Sequence, residues 1–341
     1  MAVSFDQWQY YIRTHVPEPA AGLAIALCLA AVDVGGRIAD GERFGIRQGE
    51  EGLTESVLME LCRQLPLLEV RKLTHSEEVT EGADWEWWIQ GQKKWFGFLV
   101  QAKRVSAPER GRRSYDLGYR PSSKGGERRP RQIDALHESS RILGIPAVYA
   151  LYNEAGTGLR YSRPQYGREC VTPIGGDGIT ALGVNAARWI LDHARARSAK
   201  VEMVAPYAFP WSCLTHCVTN AAHSSFPIPP NDLPEALGFE PDTPDSDPAY
   251  ASCRFLLEIE RAARLGQLDT AATNKELELW GYGPDIGRIA GAVRDAPPAY
   301  VSQDNEFEEI QPHDLEQAGI APRYVISSPQ PFSRARQSDR Q

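Results

Sequence analysis

The sequence predicts an α/β protein: a core in the order helix, three strands, helix, strand, with helices before it and an α-rich extension after it. Three observations predict this. GEEGLTESVLMELCRQL (49–65) has acids in its first turn and Leu53, Val57, Leu58, Leu61 and Leu65 on one side, which is an amphipathic helix ending before Pro66. DWEWWIQ (84–90) and KWFGFLVQAKR (94–104) read as two strands joined through the polar turn at 91–94. RPRQIDALHESSRILG (129–144) then returns to helical spacing through Ile133, Leu136 and Ile142, and IPAVYALYN (145–153) is a buried strand.

In chain order, FDQWQYYIRTHV places Phe5, Trp8, Ile12 and Val16 at helical spacing, and a second, more buried helix is expected over 20–38. Its apolar run AAGLAIALCLAAV (20–32) has the length of a signal-peptide core, but 19 residues with Asp6 and Glu18 precede it. The run is too short to span a bilayer, so a buried helix is expected there. LLEVRKLTH (67–75) reads as the first core strand, and 106–129, rich in Arg, Ser, Gly and Pro, as a long loop. Beyond the core, a helix is expected from Gly178 to Arg197. The apolar stretch VEMVAPYAFPWSCLTHCV (201–218), a Pro/Asp-rich linker (227–248), a helix from Ala249 to Leu265 and a charged tail follow.

The expected organisation is an N-terminal helical segment (1–45), a core (46–155) with a basic insertion (104–131), a core extension (156–226), a C-terminal helical region (227–330) and a disordered tail (331–341). At 341 residues the chain exceeds a typical single domain. Its composition, 42% hydrophobic and 24% charged, is that of a soluble globular protein that needs no disulfide staples. The six cysteines (28, 62, 170, 213, 217, 253) lack the spacing of a secreted framework, so a reducing cytoplasm is the expected compartment. Cys213, His216, Cys217 and His223 have poor spacing for zinc, because adjacent ligands strain a tetrahedral site.

Net charge is −8, which by itself argues against a nucleic-acid partner. The charge is unevenly spread, however. From Lys103 to Arg131 there are ten Lys/Arg against three acids, a local +7 that leaves −15 on the remainder. The positions are Lys103, Arg104, Arg110, Arg112, Arg113, Arg120, Lys124, Arg128, Arg129 and Arg131.

A symmetric hairpin with its loop at 91–94 sets Trp95 opposite Gln90, Leu99 opposite Glu86, and Gln101 opposite Asp84. Opposed residues share a face, and the two-residue period adds Lys103 to it. Trp85 and Trp87 fall on the other face, as packing residues; Trp88 shares the acid's face, where groove lining and core packing are both open. An acid, an amide and an ammonium therefore converge at one end of the hairpin. Asp84, Gln101 and the carbonyl of Ala102 are oxygen donors suited to Mg²⁺ or Mn²⁺. Such an ion activates water and offsets charge on a phosphoryl group, with a nearby lysine orienting the nucleophile.

The motif pair Gly82-Ala83-Asp84 and Gln101-Ala102-Lys103, in this element order, resembles the PD-(D/E)XK nuclease superfamily. The Gln-x-Lys form is similar to that of Mrr-like restriction nucleases. The wider GADWEWW and VQAKR wording also resembles an uncharacterised bacterial family assigned to that fold. The resemblance spans about residues 50–155 and implies a restriction-endonuclease-like core and metal-dependent phosphodiester hydrolysis. It implies nucleic acid as partner, DNA ahead of RNA with the choice between them left open, and no membrane. By analogy it points to an antiphage defence effector acting as a homodimer or with a defence-system partner protein. Carried over, Asp84 and Gln101 would bind the metal and Lys103 would assist the attacking water, with Glu51 or Glu55 of the first core helix as a further ligand. Arg104, Arg110, Arg112, Arg113, Arg128, Arg129, Arg131 and Gln132 would contact substrate. Ala83 stands where the pattern has proline, at a variable position. Gln101 replaces a carboxylate and removes one negative charge, which keeps open a binding module without catalysis. A protein-interaction component using the Trp-rich sheet is the third reading.

Overall fold

The computed structural model describes residues 3–64, 69–72, 82–106, 112–121, 130–155, 173–194, 197–216, 233–267, 289–296, 298 and 324–327. Helix α1 (Phe5–His15) begins at Ser4, whose hydroxyl accepts from the Gln7 N–H while the Gln7 side chain accepts from the Ser4 N–H. Its buried residues Trp8 and Ile12 pack on α2 (Ala20–Phe44). Helix α2 runs six positions past the expected end and stops where Gly45 takes a left-handed φ of 69°. Its 25 residues are long and apolar enough to cross a membrane, which corrects the expectation drawn from the shorter run; yet 67% of its most apolar window is buried inside the protein.

Helix α3 (Glu50–Gln64), β1 (Glu69–Lys72), β2 (Trp85–Gln90), β3 (Trp95–Arg104), α4 (Gln132–Leu143) and β5 (Ala147–Tyr152) follow in the order expected. The β2–β3 register is the expected one, with Gln90 opposite Trp95 and Glu86 opposite Leu99. Strand β3 is buried at every position but its first, because β2 and β5 flank it and helices cover both faces.

Four differences from the expectation matter. The insertion is not wholly a loop: β4 (Ser114–Tyr115) pairs with β7 (Ala199–Lys200). Residues 179–183 form strand β6 (Ile179–Gly183), antiparallel to β5, and only then does α5 (Val184–Ala194) begin. The β-branched and apolar Ile-Thr-Ala-Leu run ending at a glycine is a strand signal that the longer helical pattern concealed. The stretch from 201 divides into α6 (Val201–Val204), β8 (Phe209–Pro210) and α7 (Cys213–His216). Finally, β1 does not pair with β2. Strand β10 (Tyr324–Ser327) stands between them, antiparallel to β1 and parallel to β2, in the order β1-β10-β2-β3-β5-β6-β8, with β9 (Val293–Arg294) against β3.

After a short helix, α8 (Leu233–Ala236), the long α9 (Pro248–Gln267) lies against β2, β3 and β6. Asp247 ties it to the hairpin turn: its carboxylate accepts from the N–H of Gln92 and from that of Tyr250 in the first turn of α9. Cys28, Cys213 and Cys253 are buried. Cys217 and His223 lie outside the described residues.

Trp85 and Trp87 pack as expected, though their main partner is Trp211, between β8 and α7. Trp87 stacks on it at 4.8 Å and 11°, and meets Phe98 edge-on at 5.4 Å. Trp88, on the acid's face, covers Gly97 of β3, with the Arg294 guanidinium 5.1 Å from its ring. All three tryptophans are at most 3% exposed, while Trp95 at the start of β3 is partly buried. Trp87→Ala is expected to cost about 3–5 kcal/mol, read as a shift in the urea midpoint at unchanged slope.

Candidate functional site

Asp84 is placed by a glycine. Gly82 has φ 72°, and a Cβ there would sit 2.4 Å from the Gln132 carbonyl oxygen and 2.5 Å from the Leu136 nitrogen. Only a residue without a side chain lets the entry to β2 lie against the first turn of α4. That contact brings Asp84 beside Gln132 and points both at one cleft of about 320 Å³, lined also by Glu50, Glu51, Thr54, Lys103, Asp116 and Tyr119.

Across the hairpin, Gln101 and Asp84 meet. The Gln101 Nε2 donates to Asp84 Oδ2 at 2.7 Å and to the Ala102 carbonyl at 3.0 Å, and the Ala102 N–H donates to the same Asp84 Oδ2 at 2.8 Å. The amide group thus stands between two of the oxygens that suit a cation. Gln101 Oε1, equally buried, has no partner among the described residues. A buried carbonyl oxygen without a donor or cation is unfavourable by about 1–3 kcal/mol, and few native groups are left so.

Lys103 is 5% exposed, and its Nζ lies 2.9 Å from Glu50 Oε1; the other oxygen, Glu50 Oε2, accepts from the Arg104 N–H at 2.9 Å. The acid from the first helix that reaches the lysine is therefore Glu50. Of the two glutamates expected from this helix, Glu51 lines the same cleft beside Glu50, and Glu55 is not among the cleft residues. The apolar stripe held the signal. Glu50 precedes Leu53, Thr54, Val57 and Leu61 by three, four, seven and eleven positions, so it shares their inward face.

Tyr149, which the sequence offered only as part of a buried strand, is the register partner of Gln101. Its side chain is fully buried, and its hydroxyl has no partner among the described residues. Burial, and then the negative charges of Asp84, Asp134 and Glu50, push its phenol far up, so it remains a neutral O–H group at any working pH.

The basic positions divide. Arg104 is buried, with Nη2 3.4 Å from Glu42 and Nη1 donating to the Val105 carbonyl. It is a packed cation at the edge of a larger groove beside the cleft. Arg113 pairs with Glu154, and Arg112 is exposed. Arg131 pairs with Asp134 and Asp192, and Gln132 opens α4 with its Oε1 buried and without a partner among the described residues. Arg110, Lys124, Arg128 and Arg129 lie outside the described residues.

The Arg131 hydrogen bonds hold the Asp134 carboxyl below the ordinary 3.8, and burial opposes them. A lowered carboxylate contributes stability above its unfolded value and loses it as pH falls through the folded one. The stability difference between wild type and Asp134→Asn is thus expected to be constant near neutrality and to shrink below about pH 4, as measured by urea unfolding at each pH.

Among the described residues, no three His, Cys, Asp or Glu side chains converge as a ligand cluster. A cation held here would rest on few carboxylates, with amide, carbonyl and water oxygens completing its shell, a pattern that suits Mg²⁺. The fold and cleft define a mixed α/β protein with a mixed central sheet, carrying an acid, an amide and a lysine at one end of adjacent strands. The chain belongs to the family of unknown function DUF6615, whose family model matches residues 24–330. No curated protein matches it.

Proposed function

We propose that this protein is a metal-dependent nuclease of restriction-endonuclease-like type that hydrolyses phosphodiester bonds of nucleic acid, DNA by preference. The observation that carries the reading is the meeting of Asp84 and Gln101 at 2.7 Å, with Lys103 on the same strand face at the rim of an open cleft. Asp84 and Lys103 are more than nine-tenths buried yet line an open cleft, Asp84 held by two hydrogen bonds and Lys103 by Glu50, and charged groups fixed in this way in a cleft are candidates for a functional site.

The donor set fits a hard divalent cation, Mg²⁺ or Mn²⁺. Asp84, the Ala102 carbonyl and, with the amide turned so that its oxygen replaces Nε2, Gln101 would hold it, and Glu50 and Glu51 are further acids lining the cleft. When bound, such an ion lowers the pKa of water and offsets negative charge on a phosphoryl oxygen. The chain's own residues do the remainder. Asp84 accepts two hydrogen bonds that fix its orientation. Lys103, steadied by Glu50, offers an ammonium to the attacking water or to the developing oxyanion. Gln132 and Tyr119, across the cleft, are positioned to confine the strand.

A second reading is favoured by one observation. The Gln101 amide now occupies the space between Asp84 Oδ2 and the Ala102 carbonyl, as a group that replaces a cation would. A module that binds nucleic acid and does not cut it would keep this arrangement.

Incubating the full chain with supercoiled plasmid and with linear duplex, in Mg²⁺ and in EDTA, separates the two. Nicked or shortened product in Mg²⁺ alone supports hydrolysis, whereas salt-sensitive retention of intact DNA in both conditions supports the binding module.

A further inference from the structure

Beside the cleft lies a larger groove of about 1010 Å³ that joins three of the arginines expected to contact substrate, Arg104, Arg112 and Arg113, to Arg47 and Lys200, which the sequence patterns do not single out. Five cations from four separated segments line it: Arg47 before α3, Arg104 at the end of β3, Arg112 and Arg113 at β4, and Lys200 of β7. Its two acids are neutralised by cations: Glu50 by Lys103, and Asp116 by Arg197, whose Nε donates to Asp116 Oδ1 at 2.9 Å. Arg47, Arg112 and Lys200 are exposed and have no ion-pair partner among the described residues.

Two buried donors strengthen the case. Arg104, 8% exposed, has an Nε–H without a partner among the described residues, and so does Arg113 Nη1. Burial disfavours the charge on Arg104, and Arg47 and Arg113 stand close enough to disfavour it further. Guanidinium groups gathered against their own repulsion, with spare N–H donors, form a site that an anion relaxes. Serine hydroxyls at 106, 114 and 198 add neutral donors suited to phosphoryl oxygens.

We propose that this groove is a phosphate-binding site, with Arg47, Arg104, Arg113 and Lys200 as its principal contacts. It does not require hydrolysis. Where it serves the hydrolytic reading it rests on that reading, and the shared rim residues Glu50 and Asp116 then place the held phosphate next to the cleft.

Fluorescence anisotropy of the full chain with a single-stranded oligonucleotide, in EDTA, tests it. Arg47→Ala/Lys200→Ala is expected to weaken binding at least tenfold and to reduce the slope of log K against log salt by about 1.4. Lys93→Ala/Arg141→Ala removes the same charge from exposed positions outside the groove and is expected to change Kd less than twofold. Both groove side chains are exposed, so an unchanged melting transition is expected to certify the fold. Equal binding by wild type and the groove variant, or equal weakening by both double variants, would overturn the proposal.

The source of the phosphate is read from three probes. Equal affinity for 5′-phosphorylated and 5′-hydroxyl strands assigns the backbone, and a tenfold preference for the former assigns a terminal phosphate. Groove-dependent binding of inorganic phosphate without either strand assigns a free phosphate. Groove-dependent binding with no cleavage in Mg²⁺ would remove the hydrolytic reading and keep this site. Cleavage with Kd unchanged in the groove variant would do the reverse.

Discussion

Gly82→Ala is expected to lower stability by about 3–5 kcal/mol and the melting temperature by more than about 6 °C. The left-handed backbone at φ 72° costs any other residue about 1–3 kcal/mol. A methyl group would also strike the backbone of α4 at 2.4 and 2.5 Å, and a helix backbone cannot yield as a flexible side chain can. Overpacking of this kind adds about 1–3 kcal/mol. The neighbouring Ala83→Gly is expected to cost far less, because Ala83 carries no such constraint. Melting both variants by circular dichroism checks the contrast, and a mild Gly82→Ala would mean that the contact between the β2 entry and α4 does not hold Asp84 in place.

The second large effect is on metal binding. Calorimetric titration of Mn²⁺ into the full chain is expected to show one site whose affinity falls at least about a hundredfold in Asp84→Ala, since the carboxylate joined to both Gln101 and Ala102 is then gone. Gln101→Glu is expected to bind Mn²⁺ about tenfold more tightly than wild type, a gain of about 1.4 kcal/mol. It restores an anionic oxygen and removes the amide that bridges Asp84 and the Ala102 carbonyl. Weaker binding by Gln101→Glu would show that the amide, and not its missing charge, sets the affinity.

Much of the site's placement was legible because strand periodicity is strict. Once the turn was fixed at 91–94, the opposition of Asp84 and Gln101 and the shared face of Lys103 followed from the two-residue repeat, and the register bears this out. Glu50 was legible in principle from the spacing of α3. Counting acids in the first turn points to all of them alike, whereas the buried stripe singles out one. Tyr149 was not legible as a neighbour of Gln101, since parallel strands separated by an insertion and a helix carry no register in sequence. Nor was β10, a four-residue strand near the C-terminus that separates β1 from β2. The phosphate groove gathers Arg47 and Lys200 from positions more than 150 apart, and only the pairing of β4 with β7 brings Lys200 beside Arg112 and Arg113.

The rate of Mg²⁺-dependent cleavage, measured side by side for wild type, Asp84→Ala and Lys103→Ala with melting curves to certify each fold, bears most directly on the proposed chemistry. Wild type is expected to cut, and each variant to lose at least about a hundredfold in rate while remaining folded. Equal rates in all three proteins would contradict a catalytic role for this cleft.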